Sequence, residues 1–237
     1  MTAILARPCF HGATGLKRVP PNRRWPVWSF PGLMLPNLEY ELKHSGLVAG
    51  VDEAGRAPLA GPVTAAAVIL DPHHIPEGIN DSKKLSEKKR DDLAEQIKAT
   101  AIAYSICECN IEEIERLNIL HASMLAMQRC VEQLTPTPIH ALIDGNRLPK
   151  SLPCPATPII KGDAKSLSIA AASILAKTSR DHLMKKLSEE YPHYGWERNA
   201  GYPTPQHLAA LDEYGITPYH RRSFAPVRNR LSQLNLP

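Results

Sequence analysis

The sequence predicts an α/β layer fold on a mixed five-stranded sheet, and three observations predict it. Five short apolar runs have strand length, the stretches between the later runs repeat their apolar residues at helical spacing, and the first two runs are joined by a short turn. A short turn makes neighbouring strands antiparallel and a helical crossover makes them parallel, so the sheet has to be mixed. With 237 residues and 43% apolar content the chain suffices for one good core. Aromatic residues are only 5%, so packing rests on small and aliphatic side chains, which suits helices lying close on a sheet.

Residues 1–36 come first. They carry Pro8, Pro20, Pro21, Pro26, Pro31 and Pro36 without an apolar period, which predicts a disordered or loosely packed arm. The arm holds Arg7, Lys17, Arg18, Arg23 and Arg24 and no acid. Removing these five from the 28 basic residues leaves 23 against 24 acids, so the overall +4 belongs to the arm and the body is nearly neutral at −1. Net charge therefore says nothing about partners, and any nucleic-acid surface has to be a local arrangement. An acid-free, Arg-bearing start faintly resembles an organelle transit peptide, but without an amphipathic pattern a spare tail is the simpler reading.

The five strand-like runs are Leu47 to Asp52, Val63 to Leu70, Ile102 to Cys107, Ile139 to Ile143 and Thr157 to Ile160. Ser86 to Ala99 reads as a helix with Ser86 as N-cap, Leu85 as hydrophobic staple, and Leu93 and Ile97 on the buried face. Asn110 with Glu113 predicts a cap for Ile111 to Leu134, with a break near Asn118; its methionines fall on the apolar face and read as core. Lys165 to Leu187 is the clearest helix, Ala-rich at its start.

Five cysteines, an odd number without a CxxC pair, predict neither a disulfide framework nor a zinc ribbon. Packed free thiols fit a reducing compartment, so a cytoplasmic location is expected. No apolar run approaches the ~20 residues of a membrane span. No coiled-coil pattern or exposed apolar stripe asks for a partner copy, so the expected state is a monomer.

Four acids stand out because each ends an apolar strand or opens a helix: Asp52 and Glu53, Asp144, and Asp163. A carboxylate at the end of a buried strand needs a partner or a metal. Neighbours on a strand point to opposite faces, so Asp52 and Glu53 meet in one site only where the strand ends, as Ala54-Gly55 suggests. The bland alternatives are real: Asp163 as an N-cap, and Asp144-Gly145-Asn146 as an ordinary turn. If the acids do gather, each pair at ~4 Å repels by roughly 4 kcal/mol at an effective dielectric of ~20, so cations must be present. All-oxygen ligands select Mg²⁺ or Mn²⁺, and two such ions suit phosphodiester hydrolysis without a protein nucleophile.

Gly50-Val51-Asp52-Glu53-Ala54-Gly55-Arg56, followed by Pro58-Leu59-Ala60-Gly61-Pro62-Val63, resembles the opening of ribonuclease HII. Asn80-Asp81-Ser82-Lys83-Lys84-Leu85, Asp144-Gly145-Asn146, Lys161-Gly162-Asp163-Ala164-Lys165-Ser166 and Gly201-Tyr202-Pro203-Thr204 resemble further family motifs in the family order. The likeness runs from about Asn37 to Val227. It implies an RNase H-like catalytic domain over residues 37–205 and a C-terminal helical extension and tail over 206–237. It also implies Mn²⁺ or Mg²⁺ held by Asp52, Glu53, Asp144 and Asp163. The implied substrates are RNA–DNA hybrids and duplex DNA with embedded ribonucleotides, cut to 3′-hydroxyl and 5′-phosphate ends.

The resemblance also implies a ribose reader. In the family a Gly-Arg-Gly segment offers its backbone to the 2′-hydroxyl and a tyrosine packs on the neighbouring sugar; here these correspond to Gly55-Arg56-Ala57 and Tyr202. The second glycine is missing. A positive φ at Ala57 costs on the order of 1 kcal/mol, and at an ordinary φ the methyl crowds the ribose, so a nucleic-acid-binding homologue with weakened junction cleavage is the alternative. Tyr202 has a plainer reading as a buried turn tyrosine. Lys83, Lys84, Lys161 and Lys165, with Arg221 and Arg222, are candidates for phosphate contact against the alternative of a solvated basic face. His220, beside two arginines, reads as a surface or capping residue rather than a general base.

Overall fold

The computed structural model describes residues 10–13 and 35–234. Its sheet contains β1 (Phe10–Ala13), β2 (Val48–Ala54), β3 (Val63–Ile69), β4 (Ala103–Cys109), β5 (His140–Asp144) and β6 (Ala156–Ile159), in the order β1-β4-β3-β2-β5-β6. β1 through β4 pair antiparallel, while β2–β5 and β5–β6 are parallel. The five expected strands are β2 to β6. A sixth, β1, is contributed by the arm and sits on the β4 edge, where main-chain pairing needs no apolar period; this is why it was invisible in the sequence. Residues 1–9 and 14–34, with the transit-peptide reading, lie outside the described residues.

Helices cover both faces. α1 (Glu87–Thr100) and α4 (Leu167–Glu190) pack on Ala66, Val68 and Leu70; α2 (Ile111–Leu117) and α3 (Ile119–Gln133) pack on Ala65, Ala67 and Ile69. Because β3 is buried on both sides, its alternation of small residues lets each helix approach closely. Gly50 marks the closest approach: a Cβ there would lie 2.0 Å from the Ser168 carbonyl carbon, so only glycine lets the first turn of α4 sit on β2.

The expected caps form. Ser86 accepts from the Lys89 amide, Asn110 and Glu113 make a reciprocal capping box, and Ser166 caps α4 at Ile169. The break at Asn118 has φ +64°, and its side chain accepts from the Leu120 and His121 amides, ending α2 and starting α3 in one residue.

The C-terminal extension comprises α5 (Trp196–Asn199), α6 (Pro205–Tyr214) and α7 (Ala225–Leu234) around fully buried Trp196. This region packs around a hydrophobic core. It reaches back to Leu59, Ala60, Met184 and Leu187, so the extension packs on the β2–β3 loop and the end of α4. No helix of the described residues is long and apolar enough to cross a membrane.

Candidate active site

Parallel pairing of β2 and β5 ends at Val51 and Ile143, one residue before Asp52 and Asp144. The strands part there, opening a crevice at the carboxyl ends of two parallel strands, where α/β sheets commonly bind ligands. Asp52 pairs across from Ala66 on the α4 face and Glu53 from Ala65 on the α3 face. The two neighbours start from opposite faces, yet at this strand end both carboxylates reach one site. Asp52, Glu53 and Asp144 each place a carboxylate oxygen within 4.8 Å of the others.

Backbone and side-chain donors hold these groups. Asp52 Oδ1 accepts from the Glu53 amide at 2.7 Å, and the Ser173 hydroxyl of α4 lies near enough to draw the same carboxylate's pKa down. Ser173 in turn meets Ser82 at 2.8 Å, tying in the 80–85 turn. Asp144 Oδ1 accepts from the Gly162 amide at 2.7 Å. A Cβ on Gly162 would stand 2.6 Å from Ile169 Cδ1 and 3.3 Å from that oxygen, so the glycine allows the approach.

Asp163 follows on a short 3-10 turn, Gly162–Ala164, 8% exposed. It stands beside the three-acid set rather than within it, close enough for Asp144 to act on its charge, with Lys83 Nζ 3.9 Å from its Oδ2. The preceding Lys161 is left-handed at φ +56°, a costly conformation for a side chain that turns the chain into this corner.

The electrostatics are those of carboxylates crowded together in a buried place. Burial, then the charges of Glu53 and Asp144, hold Asp52 well above the ordinary carboxylate range. Burial also raises Glu53, with Arg56 working against it and Asp144 with it. Asp163 is raised by burial, then by Asp81 and Asp144, and partly relieved by Lys83. Burial depresses Lys83, but Asp163, Asp52, Asp81 and Asp144 outweigh it and raise that ammonium. A cleft of about 270 Å³ opens on the Glu53 side, between Arg56, Asp144, Arg147 and the first turns of α3 at Leu120 and Met124.

Lys84 and Lys161 are exposed, and Lys165 is half-buried at the end of the Asp163 turn. Arg56 is exposed and reaches Glu53 at 3.4 Å. Tyr202 is 42% exposed, so it is not a buried turn tyrosine. Ala57 is exposed and is not among the positive-φ residues, so the backbone-strain branch of the earlier expectation falls away and only the methyl remains in question.

Two expectations need correction. Arg221 is fully buried and donates to the carbonyls of Gly55, Arg56, Gly61 and Pro62, so it does not reach the surface where a phosphate would bind. His220 is buried too, not on the surface. Its Nδ1 accepts from the Thr217 amide, so Nε2 carries the proton toward His207 Nε2 at 3.0 Å. His207 Nε2 also accepts from Trp196, leaving its Nδ1 to donate to the Tyr202 carbonyl. Burial, then His207, pushes His220 down to about 3, which keeps this chain neutral.

Sequence reasoning gave no role to Ser173, Arg147 or Arg180. A serine inside the buried Ala170–Ala172, Ile174–Ala176 face was the available signal for Ser173, whereas nothing in the sequence distinguished the two arginines from solvated ones.

A family model described as ribonuclease HII matches residues 49–227. A ribonuclease HII of Dechloromonas aromatica is 61% identical over 190 residues, covering 80% of this chain and 96% of its own. One of Jannaschia sp. is 58% identical over 194 residues, covering 82% and 97%. Among solved structures, the ribonuclease H2 of Pyrococcus horikoshii superposes with a TM-score of 0.71 at 26% identity, covering 81% of this chain and all of that one. The chain covers nearly the whole length of each of these relatives. The chain belongs to the ribonuclease HII family, and with it to the type 2 ribonucleases H, endonucleases of RNA–DNA hybrids.

Proposed function

We propose that this enzyme hydrolyses the RNA strand of RNA–DNA hybrids and also cuts duplex DNA at single embedded ribonucleotides, leaving 3′-hydroxyl and 5′-phosphate ends. The observation that carries the reading is the convergence of Asp52, Glu53 and Asp144 oxygens within 4.8 Å at a buried strand end. At that spacing each ionised pair repels by roughly 3 to 4 kcal/mol at an effective dielectric of ~20, which favours a site completed by cations. The donor set is all oxygen, which fits Mn²⁺ or Mg²⁺ and disfavours softer ions. Two such ions, when bound, would supply an activated water on one side of a phosphodiester and charge to neutralise the leaving oxygen on the other.

The chain's own groups divide the remaining work. Asp52, Glu53 and Asp144 form the primary ligand set, with Asp163 completing it from the adjoining turn. Lys83 offsets the charge of Asp163 and, with Lys84, Lys161, Lys165 and Arg56, meets substrate phosphates. Gly55, Arg56 and Ala57 offer main-chain groups to the 2′-hydroxyl, the one atom that distinguishes ribose from deoxyribose, and exposed Tyr202 packs on the adjoining sugar. The enzyme acts in the cytoplasm as a monomer.

The exposed methyl of Ala57 supports a second reading, in which hybrid cleavage is retained and junction cleavage is weakened. Both are tested by Mg²⁺- or Mn²⁺-dependent cleavage of a continuous hybrid and of a single-ribonucleotide duplex, beside Asp52→Asn. Cleavage of both by the parent chain and of neither by the variant is the expected result; full activity of Asp52→Asn refutes the assignment.

A further inference from the structure

We infer that Arg221, with Arg180 as its support, is a positioning residue for ribose recognition: it sets the direction in which the Gly55–Ala57 peptides face. Both arginines are essentially buried, and the polar partners of their guanidinium N–H groups are backbone carbonyls. Arg180 donates to Pro62 at 3.0 Å, to Ala60 at 2.9 Å and to Ala200 at 2.9 Å. Arg221 donates to Gly55 at 2.6 Å, to Arg56 at 3.0 Å, twice to Gly61, and to Pro62 at 3.1 Å. The loop closes on them because Gly55 has no side chain: at φ +97°, a Cβ there would stand 2.1 Å from Arg180 Nε.

The consequence follows from peptide geometry. In a trans peptide the C=O and the N–H of the next residue point in opposite directions. Arg221 draws the Gly55 and Arg56 carbonyls inward, so the amides of Arg56 and Ala57 face outward. Among the described residues neither amide has a protein acceptor, and both residues are exposed. Two adjacent, preoriented donors are what a sugar hydroxyl or a flanking phosphate oxygen requires. Arg180 carries the same scaffold across to the tyrosine, since it holds the Ala200 carbonyl while the Leu59 amide holds that of Gly201 at 2.8 Å.

This inference rests on the reading that the loop senses ribose, and the test separates the two. With the full chain and Mg²⁺, kcat and KM are measured on a duplex containing one ribonucleotide, and the matched all-DNA duplex is titrated as a competitor. Arg221→Lys keeps the charge but replaces a fork of five donors with three on a point charge. It is expected to raise KM for the ribonucleotide duplex about tenfold while the inhibition constant of the all-DNA duplex stays within about twofold. Arg180→Lys touches neither sensing peptide and is expected to raise KM by less than about threefold. A loss of folded protein alone would lower kcat and leave KM unchanged. Equal KM shifts in the two variants, or an unchanged KM in Arg221→Lys, overturn the inference. Should Arg221→Lys fail to fold, amide exchange on the parent chain in metal-free, low-salt buffer decides. Stronger slowing at Arg56 and Ala57 by the ribonucleotide duplex than by all-DNA supports the inference, and equal slowing overturns it. A parent chain that binds both duplexes equally sinks the ribose reading and this inference together, whereas a discriminating parent with an equally discriminating Arg221→Lys sinks this inference alone.

Discussion

At the parting ends of β2 and β5 the chain buries carboxylates against carboxylates, whereas beneath the 55–62 loop it buries two guanidinium groups against backbone carbonyls. The acids are few in donors and repel one another, and burial raises Asp52, Glu53 and Asp163 together. Burial lowers Arg180 to about 10 and Arg221 to about 9, which leaves both charged at neutral pH, and each nitrogen of both guanidinium groups donates to a main-chain carbonyl. Buried charge therefore has two meanings in one molecule. Left unbalanced, it marks a place for a ligand; satisfied by main chain, it is a scaffold that fixes where that ligand's neighbours stand.

The largest effect that tests this contrast is on chemistry. Asp52→Asn removes a ligand charge without changing volume, and cleavage is expected to fall by roughly three orders of magnitude, about 4 kcal/mol of transition-state stabilisation. Its metal-free stability should move the other way, rising by on the order of 1 kcal/mol, because a buried repulsion disappears. Cleavage rates and metal-free thermal unfolding check the two halves. A variant that loses both activity and stability would mean that Asp52 belongs to the scaffold.

Next is Arg180→Met, which keeps bulk and leaves the Ala60 and Ala200 carbonyls without their donor, while the Pro62 carbonyl keeps Arg221. Each buried orphan costs about 1 kcal/mol or more, so about 2 kcal/mol and a fall in Tm of roughly 4–8 °C are expected. A Tm within a degree or two of the parent would show that the carbonyl contacts carry little stability.

The two regions should also answer acid with opposite signs. His220 is held at about 3, below an unfolded value near 6.5, so the stability it supports is whole above ~6.5 and falls as the unfolded state takes up a proton that the fold refuses. At pH 5 that loss is about 2 kcal/mol from His220 alone. Asp52 and Glu53 are raised in the fold, so the metal-free acid site gains stability as pH falls through their folded values. Hydrogen exchange between pH 7 and 5 should show protection lost first around α5 and α6. Uniform loss across the sheet and the extension would contradict this assignment.

The same contrast explains what was legible in the sequence. Asp52, Asp144 and Asp163 each interrupt an apolar pattern at an element boundary, and the five main strands are marked by their own composition, so fold and acid cluster could both be read. Arg221 was read as a phosphate contact and His220 as a surface residue because their partners are carbonyls and a second histidine. Every residue carries a carbonyl, so nothing along the chain marks which ones will converge on a guanidinium. β1 was missed for a related reason, since edge pairing uses main chain alone.

The smallest effect concerns Ala57, where the two regions meet: its amide faces the substrate side and the carbonyl of the same peptide belongs to Arg221. Its φ is not positive, so Ala57→Gly relieves no backbone strain and instead gives the unfolded chain more freedom, at a cost of about 0.5–1 kcal/mol. If the methyl crowds the sugar, the variant should cut the single-ribonucleotide duplex a few-fold better through a lower KM, with the continuous hybrid changing less, because the hybrid offers many registers and the junction only one. Parallel kinetics on the two substrates give the answer. A lower Tm with no gain at the junction would mean that the methyl sits clear of the ribose, and that the orientation imposed by Arg221, rather than the identity of residue 57, governs how the sugar is read.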